Sequence, residues 1–408
     1  MFFVRLFLVL IVFTSKCLAV EIDNSFEYMI INSTSDRELT NRNSFETGLN
    51  LSSITRFSDD FIAVAKVYYK TDIIYDTSER WDYKLNKVNQ TTFREVYLSY
   101  STDNYNLKFG RQIIAWGRAD SYNPTDVITP KDYTYLDDKL PGLKLGADAL
   151  KLQYYFENDN SIYFIAALKE KNNFLPGRDT STPIITKGDQ NFEFGIKLDH
   201  IGSSFDGALS FYKGYDLNSK FVVDNNKVIL QRPFYTMYGA DFVFPIDDFG
   251  VRGEIAYINY ENNESNLTSP FDNFSSSLGM EFTVFNDSML SFQWLHKSNI
   301  NFTSLNDSGA LTELELLNRV FYDQLDKNYD RISMNFRISW LYSTIELDLG
   351  AIKSFNNDSY GFHGNFNYDF EKNWNIAFAL DYFDGKSGSY FNYFNENNLF
   401  LILLRYKI

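Results

Sequence analysis

The chain has 408 residues, with 38 Lys and Arg against 53 Asp and Glu and a net charge of −15. That acidic balance argues against nucleic acid as a partner. The 29 Tyr and 39 Phe are very many for a soluble domain, yet no apolar run after the first twenty residues approaches a spanning helix.

Residues 1–19 read as a signal peptide. Arg5 supplies the positive n-region, and residues 6–13 are an apolar run too short to cross a bilayer. Cys17-Leu18-Ala19 offers small residues for cleavage after Ala19. A lipoprotein signal acting through Cys17 is the alternative; Lys16 stands where that signal wants a small residue. Cys17 is the only cysteine, so the processed chain is expected to hold no disulfide framework and no thiolate metal site. Residues 20–408 then read as one domain.

A barrel strand needs about 9–11 residues with alternate side chains toward lipid. Eighteen segments fit, with sixteen as the alternative count. They begin near Phe26, Ser44, Phe61, Thr92, Tyr105, Ala147, Ser161, Phe192, Phe205, Tyr235, Phe249, Ser275, Met289, Asp330, Ser343, Tyr360, Asn373 and Asn398. In the clearest of them Ile332, Met334, Phe336 and Ile338 alternate with Arg331, Ser333, Asn335 and Arg337. Alternation alone fits a soluble sandwich as well, and the connections separate the two. One set is short and rich in Asn and Asp, as at Ser58-Asp59-Asp60, Thr102-Asp103-Asn104 and Asn286-Asp287. The other set is long: 72–90, 110–144, 170–189, 216–233, 261–273 and 298–328, with only 356–358 short. Short periplasmic turns and long outer loops are the bacterial outer-membrane arrangement. The expected fold class is therefore all-β, a transmembrane antiparallel β-barrel. Within the last long loop, residues 302–318 look partly helical.

The third outer loop, residues 110–144, is the longest. It is too polar and too broken by Gly and Pro for a strand, and a loop of this length in a compact fold is usually functional. It is expected to fold into the barrel mouth. Arg111, Arg118 and Lys131 stand against Asp120, Asp126, Asp132, Asp137 and Asp138, and charges of both signs facing each other set a transverse field across a pore. Trp116, Tyr122 and Tyr133 offer faces on which a solute ring can stack; packing of the loop onto the wall is the competing reading.

The phrase Leu107-Lys108-Phe109-Gly110-Arg111-Gln112, followed by Trp116-Gly117, resembles the strand-to-loop passage of porin-like outer-membrane channels, most nearly the eighteen-stranded, alginate-export-like type. The last strand, with Phe400, Ile402, Leu404, Tyr406 and Ile408 on one face, resembles the recognition strand of barrels inserted by the outer-membrane assembly machinery. Those usually end in Phe or Trp, where this chain has Ile408. The resemblance implies a passive channel for small hydrophilic solutes, with outer-membrane lipid as its surroundings. No dominant basic belt is visible, which speaks against alginate itself. Monomer and trimer both stay open.

No enzyme activity, cofactor or metal site is expected. His200 in a turn, His296 at an outer strand end and His363 on a lumen face are dispersed and lie in no nucleophile motif. A non-conducting adhesin and an outer-membrane hydrolase are the alternatives to a channel.

Overall fold

The computed structural model describes residues 21–35, 42–76, 84–132, 144–168, 172–173, 184–185, 192–261, 267–285, 287–305, 310–356, 358–387, 389, 391–392, 395 and 398–408. The expected signal peptide lies outside these, as do Tyr133, Asp137 and Asp138.

In chain order the strands are β1 (Glu21–Ser35), β2 (Arg42–Arg56), β3 (Phe61–Asp76), β4 (Lys84–Ser101), β5 (Tyr105–Gln112), β6 (Ala147–Tyr155) and β7 (Asn160–Leu168). There follow β8 (Ile184–Ile185), β9 (Phe192–Ile201), β10 (Asp206–Tyr215), β11 (Lys220–Asp224), β12 (Lys227–Gln231), β13 (Phe234–Ile246) and β14 (Phe249–Glu261). The last are β15 (Asn273–Thr283), β16 (Ser288–Asn299), β17 (Asn328–Trp340), β18 (Ile345–Ser354), β19 (Ser359–Glu371), β20 (Trp374–Gly385) and β21 (Leu399–Lys407). Among the described residues one helix, α1 (Ala310–Phe321), lies between β16 and β17.

All strands except β8, β11 and β12 form one eighteen-stranded antiparallel sheet, each pairing with the next. β1 pairs with β21 from Glu27↔Lys407 to Ser35↔Leu399, so the sheet closes on itself and leaves no edge. Phe26 and Ile408 seal the seam through reciprocal backbone hydrogen bonds of 3.0 and 2.9 Å. The expected count of eighteen and the alternation of short and long connections both hold.

The side chains are distributed inside out. On β17, Ile332 and Met334 are each 42% exposed on the outer face, while Arg331 and Ser333 are only 6% and 7% exposed on the lumen face. An apolar outer face around a polar, charged interior is the distribution of a transmembrane barrel. Around the short-turn end the outer face carries aromatic pairs: Tyr154 with Phe156, Phe205 with Phe244, Phe249 with Phe282, and Trp374 with Tyr406. The turns at that end place Asp159, Asp247 and Asp287 at positive φ, a conformation short polar side chains tolerate.

Three boundaries differ from the sequence reading. β1 starts at Glu21 and β4 at Lys84, earlier than expected, because the β1–β2 ladder runs out to Glu21↔Arg56 and the β3–β4 ladder to Asp76↔Lys84. In the β3–β4 ladder Ile73-Ile74-Tyr75 follow one another without alternation and residues 86–92 are mostly polar in sequence, so the period-two signal fades although pairing continues. Beyond the barrel, β11 and β12 form a hairpin with Asn225 and Asn226 at positive φ, and β8 pairs with β12 in parallel. This small sheet was not foreseen. The helix is real but begins at Ala310, later than the pattern implies, and ends at Phe321. It is locked over the long-loop end. Glu315 accepts from Thr268 Oγ1 at 2.5 Å and pairs with Arg319, and Asn318 bonds both backbone groups of Phe221.

Candidate functional site

β5 ends at Gln112, and the chain turns away from the wall. Thr129 closes the base of the loop: its Oγ1 accepts from Ile114 N and donates to Ile114 O, both at 2.7 Å. Beyond it Trp116 is 3% exposed and lies against Gly195 of β9; a Cβ on Gly195 would sit 2.6 Å from the indole. The ring faces of Trp116 are therefore covered by protein in this arrangement, which favours the packing role.

Gly117 is required twice over. Its φ is +82°, and a Cβ there would meet the Glu254 carboxylate at 2.3 Å. Glu254, on the lumen face of β14 and 4% exposed, is the anchor of the loop. Its Oε1 accepts from the backbone N–H groups of Arg118 and Ala119 at 2.5 and 2.6 Å. Its Oε2 accepts from Thr125, backbone N at 3.3 Å and Oγ1 at 2.9 Å. One carboxylate thus holds both limbs of the turn.

The Arg118 side chain continues across the lumen. It reaches Asp199 of β9 at 2.7 Å and bonds Asp241 of β13. Lys197 lies 3.4 Å from Asp241 and 3.7 Å from Asp199, so two cations and two carboxylates meet at one place. Asp120 bonds Arg252 at 2.5 Å, and Arg252 also pairs with Glu281 on the neighbouring strand. Ser121 reaches furthest. Its N–H donates to Gln293 Oε1 of β16 at 2.7 Å, and its Oγ lies 3.1 Å from both Ser333 Oγ and Asn335 Nδ2 of β17. Gln293 Nε2 donates to Tyr122 O at 2.8 Å.

The remaining predicted residues divide. Asp126 and Lys131 pair with each other at 3.3 Å inside the loop, and Asp126 Oδ1 also accepts from Trp116 N. Asp132 is buried. Tyr122 is half-buried. Arg111 does not join this group. Strand alternation puts it on the outer face with Phe109, where it makes two hydrogen bonds to Asp148 at 2.8 and 2.7 Å. Glu254, Asp241 and Arg252 are strand residues of the lumen face. That they and Gln293 grip the loop was not legible, because their partners are more than a hundred residues away. Of the histidines, His296 lies on the outer face against Asp330 at 2.9 Å. His363 faces the lumen, and His200 sits within β9 rather than in a turn. Among the described residues no group of His, Cys, Asp and Glu is arranged to hold a metal ion.

No protein-family model and no curated protein sequence matches this chain. Solved structures do. OccK5 (OpdH) of Pseudomonas aeruginosa superposes with a TM-score of 0.59 at 10% identity, covering 95% of this chain and 98% of that one. OpdQ of Pseudomonas aeruginosa gives 0.60 at 10% identity, covering 96% and 99%. OccAB1 of Acinetobacter baumannii gives 0.59 at 7% identity, covering 95% and 96%. The fold is that of the eighteen-stranded Occ/Opd porins. At these identities the likeness is one of architecture, and it spans nearly the whole of each chain.

Proposed function

We propose that this chain is an outer-membrane channel through which small hydrophilic solutes pass passively, narrowed where the 110–144 loop crosses the lumen. The observation that carries this reading is the tethering of Arg118, Asp120 and Ser121 to lumen-facing side chains of β9, β13, β14, β16 and β17. A segment tied across a closed barrel occupies part of its cross-section. Charges of both signs at the crossing favour hydrated polar solutes over greasy ones. Residence in an outer membrane is supported by the apolar outer face, by the aromatic pairs at the short-turn end, and by the architecture shared with the Occ/Opd porins.

Planar-bilayer reconstitution tests the reading directly. Discrete ohmic current steps are expected, and deletion of residues 119–136 should enlarge them. Folded protein that inserts but never conducts would turn the case toward a non-conducting adhesin. Conductance unchanged by the deletion would mean that the loop does not set the narrowest point.

A further inference from the structure

The lumen wall carries a hollow at the tip of the loop, and the strand register builds it. Asn335, Gly350, His363 and Asp381 stand side by side on β17, β18, β19 and β20. Gly350 faces the lumen between Asn335 and His363, and Gly361 faces it one row further toward the long-loop end. With no side chains at these two places the wall is hollowed, and a cavity of about 170 Å³ opens there. Ser121 of the loop forms part of its lining.

The chemistry of the hollow is one-sided. Its lining includes no Lys or Arg. Asp381 is 3% exposed; Oδ1 lies 2.6 Å from His363 Nδ1, while Oδ2 is buried with no hydrogen-bond partner among the described residues. A buried carboxylate oxygen without a donor is costly, and it accepts only. Hydroxyls of Ser121 and Ser333 border the same space, and Phe383 supplies an aromatic ring. The group that complements this set is a compact cation with several N–H donors. A primary ammonium provides three donors and is attracted to an aromatic face.

We propose that this hollow is a subsite for the ammonium group of a permeating solute, so that the channel selects small primary amines over carboxylates of equal size. The inference rests on the channel reading above. Asp381 supplies the negative charge that draws the ammonium, and the two glycines make room for it. Ser121 brings the loop to the edge of the site, so a solute at the crossing meets both.

The test uses single channels of the full protein in planar bilayers, with propylammonium and propionate as size-matched probes. Propylammonium is expected to interrupt the current in a saturable manner, and propionate is not. Asp381→Asn should raise the half-blocking concentration of propylammonium about tenfold or more, as loss of a charged hydrogen bond implies. Gly350→Ala, whose Cβ enters the hollow and displaces the flexible Asn335 side-chain oxygen, should do the same. Heat-modifiable migration on gels identifies folded variants. If open wild-type channels respond alike to both probes, or if folded variants block like wild type, the subsite is refuted while the channel reading stands. If no channel forms, both fall.

Discussion

The carboxylate of Glu254 offers the sharpest test of how the loop is held. Glu254→Ala would leave the N–H groups of Arg118, Ala119 and Thr125 and the Thr125 hydroxyl without their acceptor. A hydrogen bond to a charged group contributes roughly 1.5–3 kcal/mol. Four sharing one acceptor are not additive, and the vacated site admits water, so a loss of about 3–6 kcal/mol of docking free energy is the reasonable range. The outer tethers at Asp120 and Ser121 remain, and the barrel itself is untouched. The loop should therefore loosen while the wall stays folded. In planar bilayers the variant is expected to show larger and noisier current steps than wild type, with unchanged heat-modifiable migration on gels. Glu254→Gln keeps one carbonyl acceptor and should fall between the two. Current steps of wild-type size and quietness in Glu254→Ala would refute the anchoring argument.

Arg118→Ala removes the arginine from Asp199 and Asp241 and leaves Lys197 between them; breaking such a buried pair costs about 3–5 kcal/mol, and the temperature at which the folded band disappears should drop. An unaltered transition would show that the cluster contributes little. Met334→Arg places a charge on the outer face, where about 2–4 kcal/mol is expected near a bilayer midplane; it should lower folding yield into lipid vesicles, whereas Ser333→Arg on the lumen face should not show this lipid-dependent loss. Equal yields for the two would contradict the assignment of faces. Asp216 lies beyond β10 and accepts from Tyr260 Oη at 2.7 Å; burial pushes its carboxyl above the usual range. Its folded value then exceeds the unfolded one, so its contribution is complete below the ordinary carboxylate range and is lost as pH rises through the raised value. Unfolding followed by tryptophan fluorescence should show that loss in wild type and a flatter profile in Asp216→Asn; matching slopes would remove Asp216 from the account.

Much of the barrel was legible because its signal is local. A strand that faces lipid on one side and water on the other must alternate at period two, and Ile332, Met334 and Phe336 against Arg331, Ser333 and Asn335 carry that pattern within a few residues. The turns were readable for the same reason, since Asp159, Asp247 and Asp287 sit where the backbone needs positive φ. The signal failed at the far ends of β3 and β4, where Ile73-Ile74-Tyr75 break the alternation, and in the β8–β11–β12 sheet, which pairs residues from separate loops.

The sequence by itself determined the wall: eighteen alternating segments, short turns at one end, and one loop too long and too charged to be a mere connection. Only the tertiary structure decided what that loop grips. Arg118 and Glu254 lie 136 positions apart, and no periodicity links them. Their meeting depends on closure of the sheet, which carries β14 across the lumen from β5. Register between neighbouring strands sets Arg111 beside Asp148 on the outer face and aligns Asn335, Gly350, His363 and Asp381 in one row. Alternation is written in neighbours along the chain, whereas a site inside a barrel is written in strand register.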